Sequence, residues 1–407
     1  MIDRNGCRCA SVLQVIESSA SGSGLQVLLS TRELLRRGLK IGLAYSHKRA
    51  DARFLGFLRE IRDEFPNFSA CCLPMHHSPH PSDIQAARAL RLFFRNAGPF
   101  DFVHSHSTKA GLIAHLAFPF SIERHLHTPH AFLSMNETLS PLARTAVRSY
   151  EFFMSTITRT TIVVSEVEYE HARSLGIEPG RIAFVPNGID VNSIKGRATK
   201  ENREFYRTKL RLGAQDDVCF GFLGRLVPQK ALGSLLEAFA MLMKQCGTSA
   251  VLVIVGEGPE ESKLRALARS LQIAENVRFF GPSQGPSVMT AFDVFVLSSL
   301  YEGMPMSLLE ALALGLPCAV TRTGGANELV SDGFNGFVTP VGDTQELAGA
   351  MAKLLTSLEL RQRFGSNSCG LAVNFDIERT TDRFTGLLNQ PTPKPKPRAR
   401  PAAAAAE

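Results

Sequence analysis

Two glutamates flank a turn that leads into a predicted helix. In the segment SSLYEGMPMSLLEALALGLP (298–317), Glu302 follows the apolar run DVFVLSS, and Glu310 lies further along the same segment. Ser307 and Glu310 have the spacing of a capping box, in which a hydroxyl and a carboxylate satisfy free amides of the first helical turn. Glu302 instead falls near helix-terminal amides that can hold an anion. The pattern predicts a site for a compound that carries both phosphate and hydroxyl groups.

Two cations could serve the same compound. The segment GFLGRLVPQKALGSLLEAF places Arg225 directly after a predicted strand and Lys230 near the start of the next helix. Arginine can form two parallel hydrogen bonds to a phosphate and lysine acts as a mobile point charge, so the pair could stabilise a diphosphate leaving group without a metal. Two solvated loop cations are the alternative. The sequence contains no Asp-x-Asp, so metal chelation of a diphosphate through that pattern is not expected.

Glycines mark two further turns. Gly256 and Gly258 lie at another predicted strand end, in VGEGPE, where missing side chains allow a ligand to approach closely. Gly22 and Gly24, in ESSASGSGLQ, lie between a strand and a helix, where backbone amides could approach a phosphate or an acceptor. Glycine turns that bind nothing are the alternative in both places.

A group of histidines lies close together in the first half: His104, His106, His125, His127 and His130. Metal binding is one interpretation, but few acidic or cysteine partners are nearby, and His125 and His127 would share one face of a strand in ordinary packing. Roles in the core or in a polar network are a second interpretation. Contact with a substrate is a third and applies to His130, which follows Pro129 at the mouth of the predicted crevice.

Alternating strands and helices would position these side chains. Short apolar runs alternate with amphipathic segments twice along the chain, which is typical of βαβ units. The predicted strands lie near SVLQVI, KIGLAY, FSACCLP, FDFVHSH, ERHLHTP and TTIVVS, then near DVCFGFLGR, SAVLVIVGEG, NVRFFG, DVFVLSS, LPCAVTR and GFVTP. We expect two doubly wound, Rossmann-like α/β domains that face a central cleft, with ligands at the carboxyl ends of the strands.

The predicted domains join near VPNGID (185–190), where Pro and Gly interrupt the pattern. We expect a first domain over residues 1–186, which would bind the acceptor and be completed by a C-terminal helix around 376–390. The second, donor-binding domain would cover 187–375. The tail 391–407 alternates Pro with basic residues and ends in alanines, so we predict that it is disordered.

Composition limits the class of protein. A chain of 407 residues with 44% hydrophobic content suits two domains. The net charge of +7 is mildly basic, and no nucleic-acid partner is expected. No apolar run has the roughly 20 residues needed to span a bilayer, and no signal-peptide pattern is present. We expect a cytoplasmic protein, with contact to the inner face of the cell membrane left open. The eight cysteines lack paired CxxC spacing and are predicted to be reduced core thiols.

The combined motifs resemble the retaining glycosyltransferases of family 4 over nearly the whole chain, to about Leu388. The most specific are Glu302-x7-Glu310, GRLVPQK, VPNGID, VGEGPE and TGGANELV, while HSHSTKAG and HTPHAF resemble bacterial members that build envelope polysaccharides. The resemblance implies the two-domain GT-B fold and transfer of a sugar from a nucleotide-diphosphate-sugar to a glycan or lipid-linked acceptor, with retention of anomeric configuration. It implies no metal and no other cofactor.

The resemblance also implies residue roles. Arg225 and Lys230 would bind the donor diphosphate, Glu302 the hydroxyls of the donor sugar, and Glu310 the ribose, while His130 would lie beside the transferred sugar. Further donor contacts are implied for Gly22, Gly24, Gly256, Glu257, Gly303, Met304, Met306, Ser307 and Leu308.

The sequence departs from the family pattern twice. Ser23 separates two glycines that are commonly adjacent in the first strand-to-helix loop, which affects the expected contact of that loop with donor or acceptor. Ala131 replaces the usual Gly after the histidine, so the backbone there has less freedom. A nucleotide-sugar epimerase of the same architecture and a non-catalytic nucleotide-sugar-binding protein are the rival functions.

A basic helix gives a candidate membrane surface. The segment IQAARALRLFFRNAG places Arg88, Arg91 and Arg95 at helical spacing, with Leu90, Phe93 and Phe94 close by. Such a face could rest on anionic lipid. The alternative is a surface helix whose Leu and Phe pack on the sheet while the arginines are solvated.

Overall fold

The computed structural model describes residues 10–390, apart from positions 21, 77, 79, 120, 137–138, 213–217, 247–249 and 283–284. Cys7, Cys9 and the predicted disordered tail 391–407 lie outside the described residues. Each half of the chain forms one sheet whose paired strands are parallel. The prediction of two doubly wound α/β units is therefore confirmed.

The first sheet contains β1 (Ser11–Ile16), β2 (Lys40–Ser46), β3 (Ser69–Leu73), β4 (Phe102–His106), β5 (His125–Thr128), β6 (Thr160–Val163) and β7 (Ile182–Phe184). Their order in the sheet is β3-β2-β1-β4-β5-β6-β7, so the direction of winding reverses between β1 and β4. Sequence analysis did not predict β7, which is too short to show a periodic pattern.

Helices cover both faces of this sheet. They are α1 (Gly22–Arg36), α2 (Ala52–Glu64), α3 (Ser82–Asn96), α4 (Thr108–Ala117), α5 (Pro141–Thr156) and α6 (Glu166–Ser174). Side chains of α1 and α2 share one core cluster, and side chains of α3 and α4 share another with the strands. Because β1 is buried along its whole length, its sequence is mostly apolar rather than alternating, and the polar Ser11 and Gln14 are buried with it.

The second sheet contains β8 (Val218–Leu223), β9 (Ala250–Val255), β10 (Val277–Phe280), β11 (Val294–Leu297), β12 (Cys318–Thr321) and β13 (Gly336–Thr339). Their order is β10-β9-β8-β11-β12-β13, and the winding reverses between β8 and β11. The helices of this half are α7 (Val191–Lys195), α8 (Lys200–Lys209), α9 (Leu232–Gln245), α10 (Glu261–Ser270), α11 (Pro286–Met289), α12 (Met306–Ala313), α13 (Ala326–Leu329), α14 (Thr344–Thr356) and α15 (Leu358–Ala372).

The final helix, α16 (Ile377–Leu388), returns to the first half of the chain. Phe384 belongs to the core cluster of α1 and α2 and stacks on His104, with ring centroids 5.1 Å apart. At its start, the Ile377 amide donates to the Ile189 carbonyl at 2.8 Å. The helix lies where sequence analysis expected it, and the boundaries at 186 and 375 stay a prediction.

The apolar part of the membrane surface predicted for helix α3 is wrong. Leu90 is fully buried, and Phe93 and Phe94 pack partly against the core, so these three side chains do not form an exposed apolar face. Ile84 and Leu92, which are each 58% exposed, lie on the outer side with the arginines. Within the described part of the chain, no helix is long and apolar enough to cross a membrane.

The described cysteines are free thiols but are not all in the core. Cys219 and Cys318 are buried as predicted, and burial raises the pKa of the Cys318 thiol above its usual range. Cys72 is exposed and lies on β3, the edge strand of the first sheet. The prediction of core thiols is therefore wrong for Cys72.

Candidate active site

Charged side chains meet at the reversal point of the second sheet. The chain leaves the adjacent strands β8 and β11 into the loops 224–230 and 298–302. Lys230 Nζ forms an ion pair with Glu302, and Ser299 Oγ donates to the same carboxylate at 2.6 Å. Parallel α/β sheets bind ligands at such reversal points. The structure thus brings together two residues that sequence analysis proposed separately.

Hydrogen bonds hold these two loops in one arrangement. Gln229 Nε2 donates to the Tyr301 carbonyl at 2.8 Å, and the Leu300 amide donates to the Gln229 carbonyl at 2.8 Å. Ser298 Oγ donates to the Lys230 carbonyl at 2.9 Å. The loop that carries the cation and the loop that carries the carboxylate are therefore positioned before any ligand binds.

Arg225 lies in the same loop as Lys230. Its side chain keeps exposed atoms, yet the surrounding protein partly desolvates the guanidinium and, together with the charge of Arg49, lowers the pKa of Arg225. The carboxylates of Glu302 and Glu17 act in the opposite direction. Arg49 comes from the first half and lies 3.6 Å from Glu17. Two arginines that disfavour each other's charge create a positive potential, which favours an anion between them.

Gly256 and Gly258 are required by the packing of the protein's own backbone, and their predicted contact with a ligand stays a prediction. A Cβ at Gly256 would lie 1.9 Å from the Gly224 carbonyl oxygen, and one at Gly258 would lie 2.3 Å from the Leu226 carbonyl oxygen. The missing side chains therefore let the protein's own 224–226 loop approach. Glu257 is exposed, and its carbonyl accepts the Leu226 amide at 2.9 Å. Through these contacts, residues 256–258 pack against the loop that carries Arg225.

The capping-box interpretation of Glu310 is wrong. Helix α12 begins at Met306, so Ser307 lies inside its first turn, and no side chain among the described residues caps this helix. Glu310 is 3% exposed and its Oε1 accepts a hydrogen bond from Arg53 Nη2 at 3.1 Å. Burial raises the pKa of Glu310, while the charge of Arg53 opposes the shift. A ligand that displaces Arg53 would therefore find the Glu310 carboxylate as a hydrogen-bond acceptor.

Loop 303–305 packs against other segments that line the cleft. The Gly303 carbonyl accepts the Gly325 amide at 2.7 Å, and the Met304 carbonyl accepts Asn187 Nδ2 at 2.9 Å. First-turn amides of a helix, here those of Met306 and Ser307, can face an anion, whereas the Leu308 amide already donates to the Pro305 carbonyl at 3.1 Å. Leu308 is fully buried, so only its backbone could contact a ligand.

Gly22 and Gly24 lie inside the first turn of α1 rather than in a loop before it. A Cβ at Gly24 would lie 1.8 Å from the Ser19 carbonyl oxygen, which explains why glycine is needed there. A Cβ at Gly22 would lie 3.0 Å from Met306 Cγ. Gly22 therefore lets the start of α1 pack against the start of α12, across the two halves.

His130 occupies a strained turn after β5. His130 has φ 56° and Ala131 has φ 99°, a backbone region that residues other than glycine rarely adopt. The turn packs against Gly303, since a Cβ there would lie 3.2 Å from the Ala131 nitrogen and 3.3 Å from the His130 carbonyl carbon. Ala131 keeps the left-handed geometry that the usual glycine would allow. The structure thus places His130 beside the predicted donor loop.

The histidines separate into two groups on opposite faces of the sheet. His104 and His106 point towards α1 and α16, and His106 Nδ1 is 3.0 Å from His130 Nε2. His125 and His127 point towards α4, where His127 Nδ1 is 2.9 Å from Ser105 Oγ. Burial lowers the pKa of His125 and His127 to about 3, and that of His130 to about 4. No cluster of three or more potential metal ligands occurs among the described residues.

Sequence analysis missed Glu168, which is fully buried at the junction of the two halves. Its Oε2 accepts the Val164 amide at 3.0 Å, and its Oε1 would be 2.7 Å from a Cβ on Gly303. Burial raises the pKa of Glu168 to about 7, although the Val164 and Ala131 amides favour its ionised form. Ser165-x-x-Glu168 has the capping-box spacing, so the sequence alone offers an ordinary structural explanation for this carboxylate and no signal of its contact with the cleft.

Sequence analysis also did not assign site roles to three charged residues of the first half, or to Glu328, which joins the two halves. Arg49, Arg53 and Glu17 follow predicted strands, but nothing in the sequence indicates that they face residues far along the chain. Glu328, from TGGANELV, accepts the Glu166 amide at 2.5 Å at the start of α6. A carboxylate at a helix N-terminus is favourable, so this contact helps hold the two halves together.

Family models match both halves of the chain. Residues 20–193 match a model described as Glycosyltransferase Family 4, and residues 202–369 match one described as Glycosyl transferases group 1. A D-inositol 3-phosphate glycosyltransferase from Actinosynnema mirum is 31% identical over 72% of this chain and 73% of its own length. A UDP-Gal:alpha-D-GlcNAc-diphosphoundecaprenol alpha-1,3-galactosyltransferase from Escherichia coli is 28% identical over 71% of this chain and 75% of its own.

Solved structures share the fold. Anabaena Alr3699/HepE, in complex with UDP and glucose, superposes with a TM-score of 0.77 at 21% identity, covering 93% of this chain and 99% of its own. WaaG, a glycosyltransferase involved in lipopolysaccharide biosynthesis, superposes with a TM-score of 0.72 at 18% identity over 93% and 99% of the two chains. At these identities the likeness establishes the GT-B fold. With the family models and the Actinosynnema relative, it follows that this chain belongs to glycosyltransferase family 4 and is a glycosyltransferase.

Proposed function

We propose that this enzyme transfers a sugar from a nucleotide-diphosphate-sugar to an acceptor hydroxyl, with retention of anomeric configuration, during assembly of a polysaccharide or lipid-linked glycan. The pairing of Lys230 with Glu302 beside Arg225 carries the proposal. Two cations that suit a diphosphate lie beside a carboxylate that suits sugar hydroxyls. All three groups are at the carboxyl ends of the strands of the second sheet. The relatives named for UDP-Gal and for a diphosphoundecaprenol acceptor, and the HepE complex with UDP-glucose, support the same donor and acceptor classes.

Charge stabilisation would supply the catalysis. Negative charge grows on the diphosphate as the glycosidic bond breaks, and preorganised cations and helix-terminal amides lower the energy of that state. Lys230 would shift from Glu302 towards the diphosphate, leaving Glu302 to accept hydrogen bonds from the donor sugar. Before the donor binds, hydrogen bonds from Ser299 and Lys230 hold the Glu302 carboxylate at the position proposed for the sugar hydroxyls.

Retention would follow from attack by the acceptor hydroxyl on the face that the nucleotide leaves, with a phosphate oxygen taking the proton. No protein nucleophile is needed for this route. Two relatives, the alpha-1,3-galactosyltransferase and an alpha-D-kanosaminyltransferase from Streptomyces kanamyceticus, are named for α-linked products, which an α-configured donor would give with retention.

A metal is not part of the proposal, because Arg225 and Lys230 would neutralise the diphosphate. The test is a panel of UDP-, GDP- and ADP-sugars with glycan and lipid-linked acceptors, assayed with and without EDTA. We expect nucleotide release that requires the acceptor and persists with EDTA, and an NMR coupling constant of the product that matches the donor anomer. Release without acceptor, or an epimerised donor, would support the epimerase instead, and no turnover with bound nucleotide would support a non-catalytic protein.

A further inference from the structure

A line of hydrogen-bonded side chains runs from the first strand to the His130 turn. Gln14 on β1 lies beside β4 in the sheet, and its Oε1 is 2.6 Å from His106 Nε2. His106 Nδ1 is in turn 3.0 Å from His130 Nε2, with the two rings stacked at 23°. Gln14 and His106 are almost fully buried, at 1% and 4% exposed. The three side chains therefore form one connected line that ends at the cleft.

The direction of these hydrogen bonds follows from the donors and acceptors available. A side-chain amide oxygen only accepts, so His106 Nε2 must carry the proton that it donates to Gln14. Burial keeps the His106 pKa well below its usual range, so the ring is neutral and its Nδ1 carries no proton. His106 Nδ1 therefore accepts, and His130 Nε2 must donate. Because His130 is also neutral at pH 7, its Nδ1 keeps a free lone pair.

We propose that Gln14 and His106 are positioning residues that fix the tautomer of His130, so that His130 accepts a hydrogen bond from a substrate hydroxyl and cannot donate one. This inference rests on the proposed function, since it needs a sugar at the cleft. It also names a preference: the group beside His130 is a hydroxyl rather than a carboxylate, because a lone pair repels a carboxylate oxygen. A sugar with a hydroxymethyl or ring hydroxyl at this place is accepted, and a uronic acid is disfavoured.

Neighbouring groups do not supply another way to set the tautomer. His104 lies on the same face as His106, but its Nε2 is bonded to Thr128 Oγ1 at 2.8 Å and its ring stacks on Phe384. These residues line one pocket, open in part to solvent, between β4, α1 and α16. His104 is thus a matched control: a buried histidine on the same strand and face, which packs on His106 with ring centroids 3.9 Å apart but lies outside the hydrogen-bonded line to His130.

The first test reads the tautomer directly. We label the full chain with ¹⁵N-histidine and record the ring nitrogens of His130 by NMR at pH 7.5, assigned with His130→Gln. The proposal requires a protonated Nε2 and an unprotonated Nδ1 in the unmodified protein and in His104→Gln. It requires a mixture of both tautomers in Gln14→Met and His106→Leu. A protonated Nδ1 in the unmodified protein, or no change in either variant, overturns the proposal.

The second test uses turnover. His106→Leu is expected to lower kcat about tenfold with less than a twofold change in donor KM, because the substrate still binds but its hydrogen-bond partner is disordered. His106→Asn, whose Oδ1 can replace the Nδ1 acceptor, is expected to recover kcat to within about threefold. Equal loss in both variants would indicate a structural role and overturn the proposal. Because the tautomer is read without substrate, failure to find any active donor would count against the proposed function alone.

Discussion

The two sides of the cleft use different chemistry to hold their polar groups. On the side of the second sheet the groups meet as ion pairs, such as Lys230 with Glu302. Around His130, on the side of the first sheet, they meet as neutral rings and amides, such as Gln14 and His106, although the first half also contributes the Arg49–Glu17 ion pair. All eleven histidines of the chain lie at or before His171, so the second half has none. The charged side suits a diphosphate, and the neutral side suits sugar hydroxyls.

Because of this difference, the stability of the two sides should respond differently to acid. Burial lowers the pKa of a group of first-half histidines, which bind protons only after unfolding: His104, His106, His125, His127, His130 and His171. When the native pKa lies below the unfolded one, stability is full above the unfolded value of about 6.5 and is lost as pH falls below it. Each such histidine then costs about 1.4 kcal/mol per pH unit.

The largest predicted effect is therefore selective acid unfolding of the first half. At pH 5, we expect amides of β4 and β5 to lose protection from hydrogen exchange while those of β9 and β11 keep it, as measured by mass spectrometry on the full chain. Simultaneous loss of protection in both sheets would contradict this, and would mean that contacts across the cleft make the two halves unfold together.

Glu168 makes the free energy of unfolding depend on pH in the opposite direction from the histidines. Its native pKa of about 7 lies above the usual value of 4.5, so its destabilising effect is absent below pH 4.5 and grows as pH rises to 7. Glu168→Gln is expected to stabilise the protein at pH 8 by roughly 3 kcal/mol relative to pH 4.5, measured by urea unfolding. Val164, Ala131 and Glu328 face this carboxyl and stay unchanged. Glu166→Gln, on the exposed start of the same helix, is the control and should show no such trend.

The next effect concerns the charged side. Lys230→Ala and Arg225→Ala are each expected to lower turnover roughly a hundredfold, because each removes charge stabilisation from the leaving group. Lys230→Ala should also lower stability, since it leaves Glu302 buried without its partner, whereas Arg225→Ala should not. In the double variant Lys230→Ala/Glu302→Gln melting should recover, because the unpaired charge is removed, while turnover should stay low, because both residues are proposed to contact the donor. Recovery of turnover would show that Lys230 acts only as a structural partner.

Much of this arrangement could be predicted from sequence, for a physical reason. Strands buried on both faces are largely apolar runs, so every long strand was recognised, and Arg225 and Glu302 lie in the loops that follow two of them. Contacts between the halves could not be predicted, because a parallel sheet does not indicate which distant loop faces its strand ends. Arg53 with Glu310, Gly22 with Met306, and Glu168 with Gly303 all cross the cleft in this way.

Glu310 tests a cross-cleft contact directly. Glu310→Gln is expected to weaken binding of the donor's nucleoside diphosphate about tenfold, because a neutral amide pairs less well with two ribose hydroxyls than a carboxylate does. Arg53→Gln should instead tighten binding a few fold, since the ribose no longer competes with the guanidinium for Glu310. Isothermal titration calorimetry measures both. Unchanged affinity in Glu310→Gln would rule out a ribose contact.

The smallest expected effect concerns the outer surface of the first half, where Arg88 and Arg95 on α3 lie beside the exposed Ile84 and Leu92. We propose that this face contacts anionic lipid and brings a lipid-linked acceptor to the cleft. Each arginine contributes about 1 kcal/mol near such a surface, so Arg88→Gln or Arg95→Gln should weaken binding to phosphatidylglycerol vesicles about fivefold at low salt.

Two comparisons make that experiment decisive. Arg91 is a poor target, because its Nε donates to the Ala117 carbonyl at 2.8 Å and ties α3 to the end of α4. Arg59 is exposed on α2, which packs on the opposite face of the sheet, so Arg59→Gln should leave vesicle binding unchanged. Equal weakening by Arg59→Gln would show that net charge alone drives adsorption. Absence of vesicle binding by the unmodified protein would exclude this surface and favour a soluble acceptor.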